Sequence, residues 1–501
     1  MNPSITLLGY SFLASALSVL IAQPSLAESP APPQHRSTEH SWQQAQAPES
    51  EDTGEEDTED GETEEDILRI VVTATRTEES VLDVPRAVTI IDREQIQLQR
   101  QLTNNLPDIL GQLVPGLGPP TLQNRTRNLS LRGRRALILI DGVPQNPNSG
   151  FDTELNTIDP DVIERIEIVR GPSAVYGDGA TGGIINIITR AATDEPVSYE
   201  LGVNTSVGLT TVEDDSYGYG VRCGAAGSNE LTSLRASLSY DVTNAQFDAN
   251  GDRIPPNGVG NTDRLGFLAK LGHDLTDQQR VGLTYSFYQE DLDNTSFISD
   301  ASILSIDGLQ TARSIDIDEI EFEEAPEQTN HVINLTYSHD ELLSSRVDAQ
   351  LYYRDTEFIQ TFGDIRGRGL PEFWPQVFQT NLDSSEWGAR LQFDTNFSNS
   401  FGLLWGADYG QEENARPVPV LDGDIFDAER RLEIVEVRDQ TPPYDLDTLG
   451  LFAQATWDIS DQWQLSGGLR YDEFDFSVED ANLAFPSLPT FPKAFLFLIL
   501  D

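Results

Sequence analysis

Val281-Gly282-Leu283-Thr284-Tyr285-Ser286-Phe287 sets large apolar residues at 281, 283, 285 and 287 against small or polar ones between them. Successive side chains of a β-strand point to opposite faces, so this run builds a strand with one apolar and one polar face. The pattern returns downstream. Leu449, Leu451, Ala453, Ala455 and Trp457 oppose Gln454, Thr456 and Asp458. Trp463, Leu465, Gly467, Leu469 and Tyr471 oppose Gln464, Ser466, Arg470 and Asp472. Short turns such as Asp274 to Gln279 and Ser460-Asp461-Gln462 alternate with long polar loops such as Asp291 to Asn330. A soluble β-sandwich accounts for the alternation. Only a membrane β-barrel accounts for short turns on one side and long loops on the other.

Upstream of about Ala191 the texture differs. Helical stretches are expected near Arg93 to Gln101 and around Asn105 to Leu113, the second stopped by Pro115-Gly116. Ala136 to Ile140 reads as a short strand closed by Asp141-Gly142, and Ile163 to Val169 as another, alternating one. A glycine-rich stretch, Gly177 to Gly183, leads to a last apolar strand, Ile184 to Thr189. This is an α/β mixture of ordinary domain size. It lacks the Gly-Lys-Ser/Thr ending of a nucleotide loop.

Three ordered motifs here resemble those of TonB-dependent outer-membrane receptors. Arg132-Gly133-Arg134-Arg135 precedes Ile138-Leu139-Ile140-Asp141-Gly142-Val143-Pro144. Ile163-Glu164-Arg165-Ile166-Glu167-Ile168-Val169-Arg170-Gly171-Pro172 follows. Tyr176-Gly177 and then Gly182-Gly183-Ile184-Ile185-Asn186 close the set. The resemblance implies an α/β plug domain inside a transmembrane antiparallel β-barrel of roughly 22 strands. On this reading the glycines allow tight turns and close approach in a crowded lumen. Glu164, Arg165, Glu167 and Arg170 are expected to pair with charges on the barrel wall. The segment Ile67-Leu68-Arg69-Ile70-Val71-Val72-Thr73-Ala74 looks like the TonB box, which in the family pairs edge-on with a strand of TonB, the link to the inner-membrane energising complex.

The resulting division is 1–27 signal peptide, 28–66 acidic linker, 67–74 TonB box, 75–192 plug and 193–501 barrel strands. Ile5 to Ala22 is apolar and Ser25-Leu26-Ala27 offers a small-x-small cleavage site, although no Lys or Arg precedes the run. Glu49 to Asp66 is almost wholly Glu, Asp, Thr and Gly, too charged to bury a core. A full barrel needs more strands than the roughly eleven found between Ser198 and Phe474. Residues 481–501 lose the alternation, so a fragment or frameshifted product is expected.

The ligand expectation is a ferric siderophore. Leu110 to Gly118, Arg125 to Gly133 and Asp152 to Pro160 look most like receptors for ferric aerobactin and related citrate-hydroxamate siderophores. Such complexes are anionic and oxygen-rich, and guanidinium groups answer them with forked, charge-assisted bonds. Arg125 and Arg127 lie in a stretch that resembles an apical plug loop. Gln145, Asn146, Asn148 and Phe151 lie in a second. Cobalamin or haem stays open as an alternative, haem less favoured because the plug region holds no histidine. A passive porin or adhesion barrel is the alternative from another class.

The formal net charge of -51 leaves no basic stripe for nucleic acid. The single cysteine, Cys223, permits neither an internal disulfide nor a cysteine metal cluster. No Gly-x-Ser-x-Gly or His-Glu-x-x-His pattern points to an enzyme. No resident cofactor is expected, iron entering only as cargo.

Overall fold

The computed structural model describes residues 71–72, 76, 79–80, 87–118, 130–146, 154–171, 175–177, 179–192, 195–208, 212, 216–254, 261–292, 297–299, 314–316, 319–366, 370–460 and 462–486. The signal peptide, the acidic linker and residues 67–70, 73 and 74 of the box lie outside these, as do Arg125, Arg127, Asn148 and Phe151.

The α/β region folds around a mixed sheet. Its strands are β1 (Val88–Asp92), β2 (Leu137–Ile140), β3 (Ile163–Arg170) and β4 (Gly183–Thr189), ordered β1-β3-β4-β2, with Val143–Pro144 added beyond β2. β4 and β2 run parallel and the other pairs antiparallel. The alternation expected of β3 does not extend to its burial, since Ile166, Glu167, Ile168 and Val169 are all buried. It is a central strand covered on both faces, and such strands carry nearly continuous apolar runs.

Helix α1 (Arg93–Arg100) starts where Asp92 and Gln95 cap each other. The Gln95 N–H donates to Asp92 Oδ1 at 2.8 Å, and the Asp92 N–H donates to Gln95 Oε1 at 3.2 Å. Helix α2 (Leu106–Leu113) has Pro107 in its first turn and buries Leu106, Ile109 and Leu110. Together these elements bury Ile96, Leu110, Leu131, Ile138, Ile163, Ile166 and Ile187 in one core. Each such side chain contributes about 1.5–3 kcal/mol of burial.

The second region is an eleven-stranded antiparallel sheet in strict chain order. Its strands are β5 (Ser198–Val207), β6 (Tyr217–Ser228), β7 (Thr232–Thr243), β8 (Thr262–Thr276), β9 (Gln279–Leu292), β10 (Glu327–Leu342), β11 (Ser345–Ile359), β12 (Asn381–Ser398), β13 (Phe401–Ala415), β14 (Tyr444–Ser460) and β15 (Trp463–Val478). Among the described residues the order begins at β5 and ends at β15. Short turns such as 277–278, 343–344 and 399–400 lie at one end, and the long connections 293–326, 360–380 and 416–443 at the other. The expected loop asymmetry is present.

The burial of this sheet is inverted relative to a soluble protein. Leu201, Leu335, Leu351, Leu391, Leu449, Leu451 and Leu469 point outward and are exposed, while Arg235, Asp241, Asn334, Arg354, Ser384 and Glu412 point inward and are buried. An apolar outer face around a polar interior is what a strand-built membrane wall requires. Among the described residues no helix is long and apolar enough to cross a membrane. The α/β region packs against the polar inner face and serves as its plug.

Candidate functional site

The site is the seam between plug and wall. It is built on the Asp141-Gly142 turn, where φ is 47° at Asp141 and 80° at Gly142. Both values fall in the left-handed region, which suits Asp and Gly better than most residues. The turn presents two carbonyls and a carboxylate to the wall. Asn334 and Gln350 each donate to the Asp141 carbonyl at 3.2 Å, and Arg390 donates to the Gly142 carbonyl. Lys270 Nζ stands 3.0 Å from Asp141 Oδ2. The same carboxylate accepts the Thr189 N–H at 2.9 Å, so one side chain ties β4, the turn and the wall together.

The expected wall contacts of Arg165 and Arg170 are corrected here. Arg165 turns to Glu167 within β3, at 2.8 Å. Arg170 donates to Thr89 Oγ1 of β1 at 2.7 Å, while Glu164, though exposed, lies within electrostatic range of Arg235 of β7, as expected. Side chains two apart on a strand share a face, so Arg165 and Glu167 pair with each other within β3. Arg100 takes the wall role instead, meeting Asp161 at 2.6 Å and Asp241 of β7 at 3.1 Å, while Arg222 of β6 reaches Asp161 at 3.2 Å.

Asp159, Asp161 and Asp241 gather their carboxylates within 4.8 Å and could in principle hold a metal ion. Arg100 and Arg222 already answer that charge. Burial first, then neighbouring Asp159, pushes the Asp161 carboxyl up to about 8, against the pull of Arg100.

The remaining motif glycines serve two ends, close approach at Gly177, Gly182 and Gly183 and a left-handed backbone at Gly133 and Gly171. A Cβ on Gly183 would collide with the Val169 carbonyl oxygen, and one on Gly182 would lie 2.7 Å from that of Arg135. A Cβ on Gly177 would sit 2.6 Å from Arg470 Nε, so this glycine leaves room for the Arg470 side chain. Gly133 at φ 74° closes the turn beside Arg132 at φ 54°, and Gly171 follows β3 at φ 100°. Asn186 is 2% exposed at the middle of β4, and Tyr176 is 8% exposed.

At the box, Val71–Val72 pairs antiparallel with Glu79–Ser80. Between these strands lies Arg76, at φ 69°. Its side chain is only 5% exposed and forms a fork with Asp408 of β13, Nη1 to Oδ1 at 2.8 Å and Nη2 to Oδ2 at 2.9 Å. The guanidinium also lies over the rings of Tyr176, at 4.5 Å, and Phe452, at 4.7 Å. Gln392 of β12 donates to the Arg76 carbonyl at 2.7 Å. Burial draws the Arg76 pKa down, and Asp408 opposes that. A cavity of about 530 Å³ lies beside this contact, with Arg76, Tyr176, Arg346, Asp348 and Gln392 in its lining.

Of the proposed ligand residues, two are described. Gln145 is 3% exposed and accepts from Asn330 of β10 at 3.4 Å. Asn146 accepts the Ile138 N–H at 2.6 Å and donates to the Ala136 carbonyl at 3.4 Å. Both already serve the scaffold, so a ligand contact by either requires these bonds to be exchanged.

Sequence reasoning missed Arg76, Asp408, Arg390 and Arg354. The available signal was strand parity. Asp408 and Arg390 stand at inward positions between outward apolar residues, Ala407 and Tyr409 in one case and Ala389 and Leu391 in the other. Ionisable residues within spanning strands mark functional interiors.

Comparison with known proteins accords with this architecture. Residues 80–184 match the family description TonB-dependent Receptor Plug Domain, and 267–496 match TonB dependent receptor-like, beta-barrel. The ferric aerobactin receptor of Klebsiella pneumoniae is 26% identical, over 82% of this chain and 56% of that protein. The rhizobactin receptor of Rhizobium meliloti (strain 1021) is 25% identical, over 83% and 56%. The chain thus spans about half the length of the curated relatives it matches. Among solved structures, the copper transporter OprC superposes with a TM-score of 0.56 at 16% identity, covering 78% of this chain and 55% of that one. The siderophore receptor PirA from Acinetobacter baumannii gives 0.55 at 19%, covering 78% and 58%. With plug and barrel matched in order by descriptions of one family, and both folds present, the chain belongs to the TonB-dependent receptor family.

Proposed function

We propose that the protein imports a ferric siderophore across the outer membrane, drawing on TonB through residues 67–74. The observation that carries this reading is the buried Arg76–Asp408 fork, which fastens the chain just beyond that segment to the wall. A passive pore has no use for a buried tether beside a β-branched segment. A coupled importer does, because TonB must find a strand to pair with and a plug it can pull on. Ligand held at the long-loop end would weaken the tether, and TonB would then engage the freed segment.

The ligand class follows from the relatives named as receptors for ferric aerobactin and rhizobactin. Arg125 and Arg127 are the proposed anion contacts, Asn148 and Phe151 are proposed as further ligand residues, and Gln145 and Asn146 would join after rearrangement. The test is a competition binding panel on the purified protein with a ferric citrate-hydroxamate siderophore, haem and cobalamin. The siderophore is expected to bind tightest. Tighter binding of haem or cobalamin would overturn the ligand assignment. Deletion of residues 67–74 is expected to abolish uptake and leave binding intact, and unchanged uptake would favour a passive pore.

A further inference from the structure

Asp408 carries one negative charge and faces three guanidinium groups. Arg76 holds both oxygens, and Arg470 Nη1 contacts Oδ2 at 2.7 Å. Arg390 Nε stands 3.9 Å from Oδ1, the edge of ion-pair range. Arg470 has a second carboxylate in Asp472, at 2.8 Å. Among the described residues, Arg390 has Asp408 as its one ion-pair partner. Arg390 is held off it by other bonds: it donates to the Gly142 carbonyl and to Gln350 Oε1, at 3.3 Å for the latter, and lies 5.2 Å over the Tyr352 ring.

Removing one partner of a buried ion pair is costly because the other charge is left unanswered. Asp408 escapes that fate. We infer that Arg390 is the resident replacement for Arg76: when the segment carrying Arg76 withdraws, Arg390 closes onto the vacated Oδ1. A movement of about 1 Å brings it to the spacing of a charge-assisted bond. The tether therefore opens without stranding a buried carboxylate. The inference rests on the proposed function, in which that segment is drawn out of the barrel.

A physical route leads from Arg390 toward the long-loop end. The Tyr352 hydroxyl donates to Glu386 Oε1 at 2.8 Å, Arg354 donates to Glu386 Oε2 at 3.2 Å, and Arg354 also donates to the Gln145 carbonyl at 3.2 Å. Displacing Gln145 loosens Arg354, then Glu386, then the ring that holds Arg390 aside. The two positions of Arg390 are the discrete alternatives that such a coupling path needs.

The test reads the tether alone, without TonB or ligand, so it stands or falls separately from the binding panel. A spin label is placed at Val72→Cys in a Cys223→Ser background, and its mobility is measured by electron paramagnetic resonance in reconstituted full chain. Asp408→Asn is expected to raise the mobile fraction several-fold. Arg390→Met is expected to lower it, because Oδ1 then has no substitute for Arg76 and only Arg470, on Oδ2, remains. Arg390→Lys, which keeps the charge, is expected to stay near the parent. Arg390→Gln, neutral but still able to donate to Gly142, gives the same reading as Met should the methionine chain not fold. A merely structural Arg390 predicts that Met and Gln loosen the label, as Asp408→Asn does. That result, or no change in either neutral variant, overturns the inference.

Discussion

Arg76 and Asp408 are 332 positions apart in the chain, yet their side chains meet in a two-bond fork at 2.8 and 2.9 Å. The plug's leading segment is therefore fastened to the wall by the Arg76 side chain, beside the Gln392 bond to its carbonyl. Arg76→Ala is expected to speed amide hydrogen exchange across 71–80 and leave β5 to β15 unaffected. Local protection should fall by about 1.5–3 kcal/mol, the size of a charged hydrogen-bonding contact, because Arg470 on Oδ2 and Arg390 moving onto Oδ1 still answer Asp408. Arg76→Lys keeps the charge and loses the fork, so it should fall between the two. Parental exchange rates in the alanine variant would remove the tether from consideration.

Two glycines of the plug separate backbone strain from steric clash. Gly171 has φ 100°, and nothing lies within 4 Å of the place an added methyl group would take. Gly171→Ala therefore meets only the left-handed penalty, about 1–2 kcal/mol. Gly183 has φ 139°, and the Val169 carbonyl oxygen blocks the corresponding place there. Gly183→Ala must push β4 away from β3. Thermal unfolding should show a modest loss for the first and loss of the native plug for the second. Equal effects would mean that β3 and β4 are not packed as described.

Asp161 gives a pH dependence with a definite sign. Its carboxyl is raised by burial and by Asp159 to about 8, from about 3.9 in an unfolded chain. A raised value favours the protonated form in the folded state. Its contribution to stability is complete below about pH 3.9 and declines as pH rises to about 8. Asp161→Asn resembles the protonated form and lacks that decline. Its melting temperature relative to the parent should rise from about pH 4 to about pH 8 and level off above. A constant difference would show that Arg100 and Arg222 keep Asp161 ionised throughout.

Much of the fold can be read from local pattern because its determinants are local. Period-two alternation sets each wall strand, Asp92 and Gln95 mark the start of α1, and Pro115-Gly116 follows α2. The seam cannot be read that way. Arg76 meets Asp408, and Arg354 meets the Gln145 carbonyl, through contacts spanning 332 and 209 positions. Nothing local says which inward charge faces which plug residue. The correction at Arg165 and Glu167 has the same origin: their shared face is visible in the sequence, but the expected partner on the wall gives way to one two residues distant.

The proposed anion-binding role of Arg125 and Arg127 makes a prediction that an uncharged ligand would not. Two guanidiniums that contact a ferric carboxylate siderophore contribute both forked bonds and long-range attraction. Salt removes mainly the second, since the screening length falls from about 30 Å at 0.01 M to about 3 Å at 1 M. Replacing both with Ala should weaken siderophore binding by about tenfold or more at low salt, given about 1.5 kcal/mol or more for each charged hydrogen-bonding contact. The gap between variant and parent should narrow as salt rises. Cobalamin binding, measured alongside, should change little in either protein. Double-lysine substitution separates charge from geometry: it should retain the salt dependence and lose affinity, because an ammonium cannot form the fork. If the alanine variant bound the siderophore as the parent does at about 0.01 M salt, where screening is weakest, the two arginines would be solvated loop charges, and the anion contacts would have to be sought elsewhere.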